Sequence, residues 1–206
     1  MIAVIDYGVG NVQAFLNLYK RIGYDAKRAS KKEDLFDSTH IILPGVGHFD
    51  HAMQKLNDSG LRSELENQVL AKKIPIIGVC VGMQMLSEGS EEGDLPGLGW
   101  ISGYVRSMRD NPNFRDMRLP HMGWNKLTTN PKSSLFLNGF DKNPQFYFLH
   151  SYFFVAKNRN DVVATVNFGM EFDAAVSNEN IHGIQCHPEK SHHWGENLLK
   201  NFTENV

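Results

Sequence analysis

Short apolar runs alternate with amphipathic stretches through the first ninety positions of the chain. Ile2 to Ile5, His40 to Leu43 and Ile74 to Val79 read as strands buried on both faces. After the first of them, Val12, Phe15, Leu16, Tyr19 and Ile22 recur at helical spacing. Asn11 stands where an N-cap belongs and Gly23 where the helix should stop. Phe49, Ala52, Met53 and Leu56 repeat the pattern, as do Leu61, Leu65, Val69 and Leu70. This alternation predicts a parallel sheet joined by right-handed crossovers. After Gly89 the pattern changes. Gly93, Pro96, Gly97, Gly99, Gly103 and Pro112 crowd together, and the apolar runs shorten to 146–149, 152–156, 162–166 and 181–185. These predict strands joined by turns, antiparallel pairs among them. A closing helix over 192–203 is carried by Trp194, Leu198, Leu199 and Phe202. The expected fold is α/β: a mostly parallel central sheet with helices on both faces and some antiparallel strands in the C-terminal half. No repeat, low-complexity tract or linker divides residues 1–206, which are expected to form one domain.

Composition narrows the function classes. The formal net charge of −2 and the absence of any lysine- or arginine-rich run leave no electrostatic footprint for nucleic acid. No apolar stretch approaches the ~18 residues of a membrane span. The chain opens directly on a strand, without the basic and apolar regions of a leader. Two cysteines make no disulfide framework, and a free thiol suits a reducing compartment, so a cytoplasmic location is expected.

The candidate chemistry centres on Gly78-Val79-Cys80-Val81-Gly82, between a predicted strand and a helix that starts near Met83. This is the G-x-nucleophile-x-G pattern of a nucleophile elbow, with Cys in place of Ser. Backbone N–H groups at the start of the following helix would favour a thiolate and offer donors to an oxyanion. A cysteine nucleophile needs a base, and the base needs a carboxylate to orient it. His187-Pro188-Glu189 supplies both about a hundred residues downstream. In extended backbone the two side chains would share a side, and Pro188 limits their rearrangement. Cys80, His187 and Glu189 are the candidate triad. Cys186, next to the base, should turn its sulfur the other way and serve the structure. His187, Glu189, His192 and His193 also have zinc-ligand chemistry. The last two lie where a helix starts, however, and nothing requires both to face inward. Neither a metal nor a cofactor is expected. Pro44-Gly-Val-Gly47 has too few glycines for a phosphate loop and reads by itself as a turn.

These motifs together resemble the class I (triad) glutamine amidotransferases. Pro44-Gly-Val-Gly47, Pro120-His-Met-Gly-Trp-Asn125, Phe146-Tyr-Phe-Leu-His-Ser-Tyr152 and His187-Pro-Glu-Lys-Ser191 narrow the likeness to the glutaminase subunits of imidazole glycerol phosphate synthases. The likeness covers essentially the whole chain. It implies a flavodoxin-like fold and hydrolysis of glutamine to glutamate and ammonia. It further implies an oxyanion site from Val81 and the Gly45, Val46, Gly47 loop, and substrate contacts from Gln84, Ser151 and Tyr152. The partner would be a (β/α)8 cyclase in a heterodimer, met through Asn11, His121, Trp124, Asn125 and Lys190. That cyclase would use the ammonia to make imidazole glycerol phosphate and aminoimidazole carboxamide ribotide in histidine biosynthesis.

Three departures from the family's commonest pattern leave the catalytic atoms in place. Val81 stands for a Leu, Cys186 for a Phe, and Ser191-His-His-Trp-Gly195 for Ser-Gln-x-x-Gly. They leave open a paralogue whose ammonia serves another synthase, such as a surface-sugar amidotransferase. A stand-alone γ-glutamyl hydrolase sharing the elbow and a non-catalytic regulatory subunit are the remaining alternatives.

Overall fold

A computed structural model describes residues 1–140 and 143–206. Its central sheet has nine strands, in two halves of different character. The parallel half contains β1 (Ile2–Ile5), β2 (Ala26–Ala29), β3 (His40–Gly45), β4 (Ile76–Cys80) and a late arrival, β11 (Ile181–Ile184). Their order across the sheet is β2-β1-β3-β4-β11, all parallel. That is the 2-1-3-4-5 order of flavodoxin-like folds, with β11 as the fifth strand.

The crossovers explain the layers. From β1 the chain steps one way to β2 through α1 (Val12–Ile22). From β3 it steps the other way to β4 through α2 (Phe49–Asp58) and α3 (Arg62–Glu66), which runs on into a π-helical turn over Asn67–Ala71. Right-handed crossovers in opposite directions put their helices on opposite faces. α1 accordingly packs against the C-terminal helix α5 (His192–Asn205), and α2 against α4 (Val81–Met85). Asn11 does cap α1, accepting from the Ala14 N–H at 3.2 Å, and Gly23 ends it in the left-handed conformation. Leu18 rather than Leu16 completes the buried stripe of that helix.

β2 is a strand that periodicity does not predict. Ala-Lys-Arg-Ala carries no apolar run, because an edge strand buries little. β5 (Gly103–Ser107), β6 (His121–Thr129) and β10 (Met170–Asn178) are unpredicted for a related reason, since polar residues interrupt each of them.

The antiparallel half extends the sheet as β10-β9-β6-β7, with β9 at Val162–Phe168 and β7 at Gln145–His150. β5 pairs separately with β8 (Tyr152–Ala156). The core of this half is aromatic. Phe114 meets Phe153, Phe168 and Phe172, with ring centroids 5.5, 6.4 and 6.3 Å away. The far edge then curls back. The His187 N–H, just beyond β11, donates to the Tyr147 carbonyl of β7 at 2.8 Å. That closure brings the end of β7 over the carboxyl ends of β3, β4 and β11. Among the described residues, no helix is long and apolar enough to cross a membrane.

Candidate active site

The nucleophile elbow is built by backbone fitting against backbone. β3 and β4 stay in register to their last residues, pairing Gly45 with Cys80. A Cβ on Gly82 would lie 2.0 Å from the Leu43 carbonyl oxygen, and one on Gly45 would lie 2.3 Å from the Gly82 nitrogen. Only hydrogen fits at either position. Cys80 takes the strain, with φ 56° and ψ −114°, a conformation that persists only where the surroundings enforce it. Gly45 therefore packs behind the elbow, while Val46 and Gly47 reach the cavity in front of it. The loop after β1 braces the same turn, its Tyr7 hydroxyl donating to the Pro44 carbonyl at 2.7 Å.

That cavity, of ≈ 430 Å³, lies at the carboxyl ends of the parallel strands, where doubly wound sheets bind their ligands. Val46, Gly47, Cys80, Val81, Gln84, Ser151, Tyr152, His187 and Lys190 line it, as do His150 and Glu92. Glu189 stands behind His187, its Oε1 2.8 Å from the imidazole Nδ1. The pair meets through a different backbone from the extended one expected. Pro188–Lys190 is a 3-10 turn with proline at its first position, where a fixed φ and a missing N–H cost nothing. Ser191 ties the turn to β7, donating to the His187 carbonyl at 2.6 Å and accepting from the Tyr147 N–H at 3.0 Å. Cys186 is fully buried, and burial pushes its thiol well above the usual range, consistent with a structural role.

Charge in the cavity is arranged around the imidazole. Burial alone would lower the His187 pKa, but hydrogen bonds and charge from Cys80 and Glu189 outweigh it and raise the value to about 10. The ring is thus cationic at neutral pH and has a proton to give. Burial holds the Glu92 carboxyl above the usual carboxylate range, while the Phe49 N–H donates to its Oε2 at 2.8 Å. Glu92 sits in an exposed-looking Glu-Glu-Gly stretch and gave no sequence signal of its place in the cavity.

Gln84 lines the cavity with its donors committed. Its Nε2 lies 3.0 Å from the Tyr152 carbonyl and 3.0 Å from Gln185 Oε1. What remains to offer a substrate is the carbonyl oxygen, which can accept from an ammonium but cannot donate to a carboxylate.

The residues expected at a partner interface divide. Trp124 is 46 % exposed, and Asn11 and Lys190 are also at the surface. His121 to Asn125 opens strand β6, directly after Pro120. Alternation along that strand sends Met122 and Trp124 outward and His121 inward. His121 is therefore corrected to a core residue, stacked between Phe148 and Phe168 with centroids 4.7 and 4.1 Å away. Its Nδ1 lies 3.0 Å from His150 Nε2, and Asn125 Nδ2 lies 3.3 Å from its Nε2. Burial lowers the two histidines to about 4 and about 3, so both are neutral.

The family described as glutamine amidotransferase class-I matches residues 3–206. The chain belongs to that family. Among its relatives is the imidazole glycerol phosphate synthase subunit HisH of Bdellovibrio bacteriovorus, 52 % identical over 99 % of this chain and 100 % of that one. HisH of Leptospira interrogans is 47 % identical over 98 % of each. HisH 2 of Pseudomonas aeruginosa is 47 % identical over the full length of both. A glutamine amidotransferase crystal structure superposes with a TM-score of 0.77 at 19 % identity, over 99 % of this chain and 98 % of that one. PurLQS from Thermotoga maritima does so at 0.75 and 19 %, over 98 % and 96 %. At that identity the likeness speaks for the amidotransferase fold.

Proposed function

We propose that this chain is the glutaminase subunit of an imidazole glycerol phosphate synthase, hydrolysing glutamine at Cys80 and passing ammonia to a separate cyclase. The observation that carries the reading is the strained Cys80 elbow facing the His187–Glu189 pair across one cavity. The full-length likeness to HisH subunits supports its place in histidine biosynthesis.

Glutamine enters with its side-chain amide at Cys80. The Gln84 carbonyl oxygen and the Glu92 carboxylate take its α-ammonium, and Ser151 and Tyr152 line the side that receives its α-carboxylate. The thiolate attacks the amide carbon. The Val81 N–H and one from the Gly45–Gly47 loop hold the oxyanion, a donor of this kind being worth ~3 kcal/mol. His187 gives its proton to the leaving nitrogen, so ammonia departs and a γ-glutamyl thioester remains. The now neutral imidazole takes a proton from water, which attacks the thioester and releases glutamate and the Cys80 thiolate. Glu189 fixes the tautomer and orientation of His187 throughout. A free thiol nucleophile suits a reducing compartment, which supports a cytoplasmic location.

The partner surface continues from the cavity mouth. Met122 pairs with Leu149 and Trp124 with Tyr147 across β6 and β7, and Met122, Trp124 and Leu149 form an exposed apolar stripe. Lys190 extends it, its Nζ 5.7 Å from the Tyr147 ring centroid. A (β/α)8 cyclase seated there would cover the cavity and receive ammonia before water protonates it. Cys80→Ala should abolish glutamine-dependent synthesis by the complex and leave synthesis from added ammonium intact. Loss of both activities would sink this division of labour.

A further inference from the structure

Gln185 is fully buried, follows β11 directly and does not line the cavity. We propose that it is a positioning residue for the nucleophile, holding a carboxamide N–H on the Cys80 sulfur from the protein's interior. The contact is 3.8 Å from Nε2 to Sγ.

The direction of that amide follows from its neighbours. The Tyr152 carbonyl can only accept, so Gln84 must turn Nε2 toward it. The same nitrogen meets Gln185, which must therefore present Oε1. Gln185 Nε2 is left pointing at the sulfur. A flipped Gln185 would set nitrogen against nitrogen and oxygen against sulfur. The His150 Nδ1–H donates to the Tyr152 carbonyl as well, at 2.8 Å, which occupies both lone pairs of that oxygen. The chain of contacts thus has one satisfied arrangement.

On its other sides the sulfur meets His187 and, at 4.0 Å, the Leu149 carbonyl oxygen. That oxygen can accept from a thiol but repels a thiolate. His187 stabilises the thiolate only while it holds its proton, which it surrenders to the leaving nitrogen. The Gln185 amide has no proton to lose and remains a donor at every step. It is available again when the thioester breaks and the sulfur departs as an anion.

The inference rests on the glutaminase reading, and its test is chosen to separate the two. Gln185→Met keeps length and volume and removes the donor. Gln185→Glu is isosteric, keeps an acceptor for Gln84 and, once ionised, sets an anionic oxygen against the sulfur. The first readout is the rate of Cys80 alkylation by iodoacetamide, followed on the Cys80 peptide by mass spectrometry, which needs neither glutamine nor a partner. Other titratable groups near the sulfur, namely His187, Tyr7 and Cys186, are unchanged in both variants.

Alkylation should slow about tenfold to a hundredfold in Gln185→Met, the range a hydrogen bond to a charged group commands. It should slow further in Gln185→Glu. In the complex, kcat for glutamine should fall by a similar factor with KM within about twofold, because the Tyr152 carbonyl still orients the Gln84 amide that meets the substrate. Alkylation within about twofold of the parent rate in folded Gln185→Met would overturn the assignment, as would a loss confined to KM. Failure of both variants to fold would also overturn it, by making the carboxamide a brace of the fold. A parent complex that turns over no glutamine would instead count against the glutaminase reading, while the alkylation contrast still decided the role of Gln185.

Discussion

The two halves of the sheet solve different problems. In the parallel half, main chain lies against main chain, and the result is one strained residue, Cys80, held by the fit of Gly45 and Gly82. In the antiparallel half, side chains do the fitting, through packed phenylalanines and two neutral histidines. The first half presents the nucleophile. The second supplies the cavity wall at Leu149 to Tyr152, the anchor of His187 on Tyr147, and the exposed stripe of Met122 and Trp124. The contrast teaches that reactivity here is set by local backbone geometry, whereas substrate fit and partner contact come from long-range packing.

If the parallel half depends on backbone contact, its least tolerant position is Gly82. A methyl group there meets the Leu43 carbonyl oxygen at 2.0 Å, and neither strand can give way without breaking the β3–β4 register. Gly82→Ala should cost about 3 kcal/mol or more of folding stability and remove Cys80 reactivity with it. Urea unfolding and alkylation would report the two effects. A variant of near-parental stability would show that the elbow is a flexible turn, and the comparison would lose its first term.

The buried histidines of the antiparallel half should cost the fold stability in acid. His121 and His150 are held by burial at about 4 and about 3, against 6.5 when unfolded. Each is a base whose folded pKa is depressed, so between those values the unfolded chain binds protons that the native chain does not. Stability is therefore full above pH 6.5 and lost as pH falls toward 4. Each histidine contributes a slope of up to about 1.4 kcal/mol per pH unit. His182 in β11, at about 4, adds a third proton, and His40 is lowered in the same direction by burial. Urea midpoints measured from pH 7 to pH 4.5 should fall steadily, and His150→Gln should flatten the slope by about one proton. A profile flat through this window would mean that the histidines are hydrated and the aromatic core is loose.

Legibility in the sequence follows the same division. Cys80 could be found because its strain is local: the glycines that permit it stand two residues away on either side. β1, β3 and β4 could be found because strands covered on both faces are apolar throughout. The pairing of His187 with Glu189 was legible as chemistry, but its 3-10 turn was not, since Pro188 permits extended and turn conformations alike. β2, β5, β6 and β10 were hidden by polar residues that pair across an edge or face solvent. The inward turn of His121 depends on which face of β6 the aromatic core covers, and no spacing within Pro120–Asn125 carries that information. Glu92 and Gln185 were invisible for a stronger reason. Each is tied to its place by residues forty or more positions away, Phe49 for one, Cys80 and Gln84 for the other.

Trp124 offers the finest test of the comparison, because it belongs to the antiparallel half yet contributes little to holding that half together. It is 46 % exposed, and its main contact is a stack on His192, with centroids 5.2 Å apart and planes 8° from parallel. Trp124→Ala should therefore move the unfolding free energy of the chain by no more than about 1 kcal/mol. Affinity for the synthase partner should fall by about 2 kcal/mol, roughly thirtyfold, as expected of an aromatic anchor near the centre of an interface. Calorimetric titration of the partner into parent and variant would separate the two quantities. Unchanged affinity would move the docking surface off β6. A stability loss well above 1 kcal/mol would make Trp124 part of the fold, and the antiparallel half would then be less divided between packing and recognition than its exposed stripe implies.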